Sequence, residues 1–138
     1  IMSDLRKMDS GFKINNLLLL ESKFSRIDNV QLKEGASKLN MNIETEVNVQ
    51  GKIISVLEKV TLMQKDNAIE QFSFVVKMVG IFECIGESSL TDYESFGKVN
   101  GAAIIFPYIR EHISNIALKA GLGSIIIPPV NFAANQNH

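Results

Sequence analysis

The segment MNIETEVNVQ, Met41–Gln50, carries the clearest structural pattern in the chain. Ile43, Thr45, Val47 and Val49 occupy every second position, and Glu44, Glu46, Asn48 and Gln50 fill the places between. Side chains alternate faces along a strand, so this pattern predicts one buried and one solvated face, as in an antiparallel sheet. Gly51 supplies a turn, and Ile53–Lys65 resumes the strand pattern. Asp66-Asn67 are turn residues that tolerate positive φ, so Ile69–Ile85 is predicted to return as the partner of a hairpin. Gly80 and Gly86 are expected to bulge or bend that strand near its end.

On the N-terminal side, Arg26–Asn40 is a polar connection containing Gly35 and Ser37, preceded by a further strand over Phe12–Ser25. In that strand Phe12, Ile14, Leu18, Leu20 and Phe24 are expected on one face, with Lys13, Asn15, Glu21 and Lys23 on the other. Leu17 and Leu19 break the alternation, so the second face is not wholly polar.

Toward the C-terminus the period changes. Thr91 is positioned to cap a short helix through Gly97, with Glu94 as its capping-box partner. Within Ala102–Ala120, Ile109, Ile113, Ile116, Ala117 and Ala120 recur at helical spacing, and Gly121 stops the helix. Pro107 suits a first helical turn, which places the start near Phe106. Gly123–Val130 contains Pro128-Pro129 and reads as extended. The expected fold is α+β: a four-stranded antiparallel sheet with a short and a long helix packed on one face. It forms one domain over residues 12–132, after a flexible segment 1–11 and before a short tail 133–138.

Composition narrows the function. The 138 residues are 46% hydrophobic and 21% charged, enough apolar material for a core without disulfides. Fourteen basic residues against fifteen acidic ones give a net charge of −1, which argues against nucleic-acid binding. The lone Cys84 cannot form an internal disulfide and fits a reducing compartment. No signal peptide precedes the domain and no apolar run approaches the ~18 residues of a membrane span, so a cytoplasmic protein without membrane insertion is expected.

Chemistry is sparse. His112 and His138 lack the spacing and partners of a metal site, and Cys84 has no local histidine. Gly121-Leu122-Gly123 follows a helix where a phosphate loop would open one. Neither an enzyme nor a cofactor or metal is expected. The sequence instead carries surplus apolar side chains: Ile104, Ile105 and Phe106, then Tyr108 off the helix stripe, then Ile125-Ile126-Ile127. Burial of each large one is worth roughly 1.5–3 kcal/mol. They are therefore expected to meet another subunit or a ligand, with closure of the core as the alternative for the tail.

Phe106-Pro107-Tyr108-Ile109-Arg110-Glu111, a helix, a glycine, and then Pro129-Val130-Asn131-Phe132 together resemble the SecB family of protein-export chaperones. Gly80-Ile81-Phe82 and Phe12-Lys13-Ile14 also match, so the resemblance spans residues 12–132. It implies a dimer of dimers with the long helices sandwiched between sheets, which makes Ile109, Ile113, Ile116, Ala117 and Ala120 an expected oligomer interface. It also implies an ATP-independent holdase that binds unfolded polypeptides or preproteins in apolar grooves and, in the export type, passes them to SecA.

In the family, acidic residues on the outer sheet face dock SecA. Here Glu21 keeps one acidic position and Glu44 and Glu46 are further candidates, whereas Ser25 and Val75 stand where others would be. Arg26–Asn40 lacks the family's loop aromatic, and Ala133–His138 is short for its second helix. Holding unfolded chains is therefore expected ahead of delivery to SecA. The alternatives are a SecB-like chaperone dedicated to one partner, such as a toxin–antitoxin system, or a structural adaptor oligomer.

Overall fold

In the computed structural model, which describes residues 11–30, 39–85, 92–123, 125, 127 and 130–135, the alternating stretches form one antiparallel sheet. Its strands are β1 (Phe12–Arg26), β2 (Leu39–Gln50), β3 (Ile53–Asp66) and β4 (Ile69–Cys84), in the order β1-β4-β3-β2. Gly51, at φ +62°, opens the tight turn between β2 and β3. The β3–β4 turn lies one residue beyond the expected pair: Asn67 and Ala68 take positive φ (51° and 65°), the twist a two-residue hairpin needs. Expected strand bounds agree with the observed ones to within two residues.

β1 departs from a single alternation. Register shifts fall between Ile14 and Asn16 and between Leu19 and Glu21. Each extra residue flips the side chains that follow, because the strand period is two. Phe12 and Ile14 face the same side as Cys84 and Phe82; Leu17, Leu19, Ser22 and Phe24 then continue that face opposite Gly80, Met78, Val76 and Phe74. Leu18 lies opposite Val79 on the other face, and Leu20 sits at the second shift. The expected grouping of Leu18 and Leu20 with Phe12 is thereby corrected.

β4 itself runs through Gly80 without a bulge. A Cβ there would come within 2.8 Å of Phe82 Cε2 and 3.0 Å of Ile105 Cδ1. Gly80 thus lets the helical layer close on the sheet. Gly86 and Thr91 lie outside the described residues. The short helix α1 (Tyr93–Phe96) is capped by Asp92, whose Oδ1 accepts from the Ser95 amide at 3.0 Å. Phe96 stacks on Phe12 (3.9 Å, 11°) and meets Phe82 edge-on (5.7 Å), which pins α1 to the sheet.

A π-helical turn, Gly97–Gly101, joins α1 directly to α2 (Ala102–Lys119). The long helix therefore starts ahead of Phe106, and Pro107 is interior. Pro107 removes the amide that would bond the Ala103 carbonyl; both residues are exposed, so water can satisfy that oxygen. Gly121, at φ +73°, ends α2 as expected. The Leu122 amide bonds Ala117 O at 2.9 Å and the Gly121 amide bonds Leu118 O at 3.2 Å, a Schellman close with Leu122 buried. Arg26 adds a second cap by donating to Ala120 O, which places a cation at the helix C-terminus.

One core fills the space between the sheet and these helices. Its centre is Val56, Val60, Phe74, Val76 and Phe82 beneath Ile105, Ile109 and Ile113, all at 0% exposure. A last short helix, α3 (Phe132–Asn135), crosses the expected boundary at residue 132.

Candidate functional site

The helix stripe expected at an oligomer interface faces the chain's own sheet. Ile109, Ile113 and Ala117 are fully buried within the single chain, while Ile116 and Ala120 are half-buried at its margin. The stripe is the face by which α2 sits on its own sheet. The opposite face of α2 carries Ile104, Tyr108 and Leu118, with Tyr108 53% and Leu118 62% exposed. Tyr108 and Leu118 are the large apolar side chains that α2 leaves exposed among the described residues.

The two matching motifs meet in space. Phe106 packs edge-on against Phe132 at 5.7 Å, and the Arg110 guanidinium lies 5.9 Å from the Phe106 ring. Glu111 bonds the side chain of Asn115, and Asn131 Oδ1 accepts from the Ala133 amide at 3.1 Å to cap α3. Pro107 and Tyr108 are exposed, and Val130 is half-buried. Pro129 lies outside the described residues. The Phe106–Phe132 contact is what joins the two motifs, and Tyr108 faces outward.

On the outer sheet face the candidate carboxylates do not converge. Glu21 is on β1 and Glu44 and Glu46 are on β2, the two opposite edges. Between them, Glu21 stands opposite Lys77, Lys77 opposite Lys59, and Lys59 opposite Glu44. Glu21 also lies 3.7 Å from Lys23, and Glu83 lies 3.8 Å from Lys13, both exposed pairs worth little. Glu46 faces Leu57 at the rim of a shallow groove of about 250 Å³, lined also by Val47, Asn48, Ser55 and Val79.

The most exposed apolar cluster runs along the β1 edge. Leu18, Leu19 and Leu20 are 44%, 47% and 54% exposed, and bulging presents them to both sides of the strand. Beside them Ser22 Oγ and His112 Nε2 are 2.8 Å apart and tie the edge strand to α2. No third group that would complete a catalytic relay is paired with them among the described residues. Cys84 is a buried free thiol that shares a side-chain hydrogen bond with Tyr93. No cluster of three or more metal-ligating side chains occurs among the described residues, and no helix among them is long and apolar enough to cross a membrane.

One residue escaped the sequence reading. Glu58 lies on the helix-covered face of β3, 0% exposed, and neither carboxyl oxygen has a hydrogen-bond partner among the described residues. Burial pushes its pKa from 4.5 up to about 8. The signal was present: Ile54, Val56, Glu58, Val60 and Leu62 alternate on one face, and Glu58 is the polar member of that series.

The fold is thus a sheet covered on one side by helices, with apolar side chains left exposed at one edge and on the outer helix face. The chain belongs to the SecB family: the family described as preprotein translocase subunit SecB matches residues 10–137. It is 34% identical over 106 residues to the protein-export protein SecB of Nitrosomonas europaea, covering 75% of this chain and 65% of that one. The SecB of Alcanivorax borkumensis is 32% identical over 111 residues, covering 77% and 62%. The chain thus spans a little under two thirds of the length of those two relatives. An uncharacterised protein of Methanocaldococcus jannaschii is 32% identical over 127 residues, 89% of this chain and 81% of that one. Among solved structures, the fold matches a SecB-like chaperone of Mycobacterium tuberculosis in complex with a ChAD peptide from the HigA1 antitoxin. The TM-score is 0.71 at 12% identity, over 86% of this chain and 90% of that one.

Proposed function

We propose that this protein is an ATP-independent holdase of the cytoplasm that binds unfolded polypeptides or preproteins on exposed apolar surface and keeps them competent for export. One observation carries the reading: a SecB-family fold leaves Leu18, Leu19 and Leu20 in water along one edge and Tyr108 and Leu118 on the outer helix face. Exposed clusters of this kind mark surfaces that other chains cover. The working form is a homotetramer, a dimer of dimers assembled through the outer face of α2. SecA is at most a weak partner, since the outer-face carboxylates are interleaved with Lys59 and Lys77.

The test is aggregation of a slow-folding polypeptide followed by light scattering. Molar excess of the protein suppresses the signal without nucleotide, ATP changes nothing, and suppression largely survives salt because screening weakens only charge contacts. No suppression, or suppression that requires ATP, removes this reading.

A second reading is a chaperone dedicated to one partner. It is supported by the placing of lysines opposite Glu21 and Glu44 on the outer face and by the fold likeness to the mycobacterial protein, which was solved with an antitoxin peptide. Tight binding of a single polypeptide, with little protection of unrelated unfolded chains, would favour it.

A further inference from the structure

The core contains an acid with no visible structural use. Glu58 sits in the middle strand pair of the sheet, flanked on its own face by Val56 and Val60 and across the sheet by Thr45 and Met78. The layer above is closed tightly. A Cβ on Gly101 would lie 2.9 Å from Val56 Cγ2, one on Gly97 would lie 2.7 Å from Val47 Cγ1, and one on Gly80 would lie 3.0 Å from Ile105 Cδ1. Both carboxyl oxygens are without hydrogen-bond partners among the described residues, and their residue is fully buried.

The charged and ionisable groups of the surrounding elements are engaged elsewhere. On β4, Cys84 shares a side-chain hydrogen bond with Tyr93 of α1. On α2, Arg110 lies against Phe106 and His112 bonds Ser22. Arg26 of β1 donates to the carbonyls of Ile27, Asp28 and Ala120, and Lys98 of the π turn pairs with Glu94 at 3.4 Å. None of them compensates a negative charge at Glu58. The inner face of β2 presents Met41, Ile43, Thr45 and Val47, none of them ionisable.

We propose that Glu58 is a proton-operated latch between the sheet and the helical layer: neutral, it lets the layer close, and its ionisation lifts the layer and bares the apolar seam beneath. Among the described residues an ionised carboxylate in this seam finds no cation, and its one neighbouring donor across the β2–β3 pair is the Thr45 hydroxyl, too little to offset a buried charge, so ionisation favours opening of the layer to water. In the opened state the acid regains its ordinary pKa of 4.5, against about 8 when closed. The opening constant therefore rises by up to tenfold per pH unit across that window and levels off above it. The latch would set how much apolar surface the chain offers at a given pH, whatever polypeptides it holds.

The experiment is amide hydrogen exchange of α2 and β3 in the intact protein between pH 5 and 9.5, corrected for the intrinsic pH dependence, with an apolar fluorescent dye as a second reporter. Wild type is compared with Glu58→Gln, which keeps the shape, and Glu58→Leu, which completes the apolar run and guards against a variant that fails to fold. Corrected exchange and dye binding should rise with pH in wild type up to a plateau near 8 and stay flat in both variants. A rise of equal size in Glu58→Leu, a flat wild-type profile, or a Glu58 carboxyl that titrates near 4.5 by carbon NMR would overturn the proposal. Neither reporter uses a client, so failure here is separable from failure of the holdase reading.

Discussion

Lys59 and Lys77 stand directly opposite one another in the middle of the outer sheet face, at the centre of a row that runs Glu21–Lys77–Lys59–Glu44 from edge to edge. Like charges placed opposite in a sheet repel, and each lysine here is relieved by a glutamate on its far side. The two acids are three strand spacings apart, roughly 14 Å, with both cations between them. An incoming basic peptide meets those cations where it would need carboxylates.

Calorimetry with a SecA tail peptide at physiological salt should therefore show binding no tighter than tens of micromolar, because exposed pairs contribute only about 0–1 kcal/mol each. Lys77→Glu should strengthen it by about two- to tenfold, and Val75→Glu should act in the same direction. Tight wild-type binding that Glu21→Ala abolishes would restore a SecA-docking role for this face.

The two faces of α2 should separate folding from assembly. Ile113 is 0% exposed beneath the helix, so Ile113→Asp buries an unpaired charge at a cost of several kcal/mol and should abolish cooperative unfolding by circular dichroism. Leu118 is 62% exposed, so Leu118→Asp should leave the spectrum unchanged while light scattering falls from about four chains per particle to two. A wild-type monomer, or a Leu118→Asp variant that remains tetrameric, removes the outer helix face from the assembly.

What the sequence disclosed follows from how local each feature is. The alternation from Met41 to Gln50 and the turn residues near 51 and 67 act over a few positions, and β2, β3 and β4 were legible from them. The two bulges of β1 were not: they place Leu17 and Leu19 on the helix side, and they are set by the register with β4, far along the chain. The start of α2 was also hidden. Pro107 signals a first turn locally, but Gly97 and Gly101 permit a π turn that sits on Val47 and Val56, and that tertiary contact carries the helix past the proline. For the same reason the stripe of Ile109, Ile113 and Ala117 shows that α2 has an apolar face without showing which surface covers it.

Glu58 should make global stability depend on pH in a defined direction. Its folded pKa, about 8, lies above the ordinary 4.5, so the unfolded chain releases the proton first as pH rises. Stability contributed by the neutral acid is complete below about 4.5, falls through the window at no more than ~1.4 kcal/mol per unit, and is fully lost above about 8. In urea unfolding, Glu58→Leu should flatten that part of the curve and exceed wild type by several kcal/mol at pH 9. At pH 4 the advantage should shrink to about 1–3 kcal/mol, the cost of a neutral polar group buried without partners. Parallel pH profiles for the two proteins would show that the acid is solvated in the folded state.

The π turn offers a test of how closely the helical layer is fitted. Gly97 has φ −61° and ψ −43°, a conformation any residue adopts, so alanine there would gain roughly 0.5–1 kcal/mol from backbone entropy alone. Space argues the other way: a Cβ at Gly97 would lie 2.7 Å and 3.0 Å from the two Cγ atoms of Val47 and 3.2 Å from Val56 Cγ2. Overpacking of that kind costs about 1–3 kcal/mol, which outweighs the entropic gain. Gly97→Ala should therefore lower stability by about 1–2 kcal/mol in chemical denaturation. In a Val47→Ala background the two nearest obstructing atoms are gone, and the same substitution should become neutral or stabilising. The resulting double-mutant coupling of about 1–2 kcal/mol is the measurable quantity. An equal cost in both backgrounds would mean that glycine is needed at 97 for a reason other than contact with Val47.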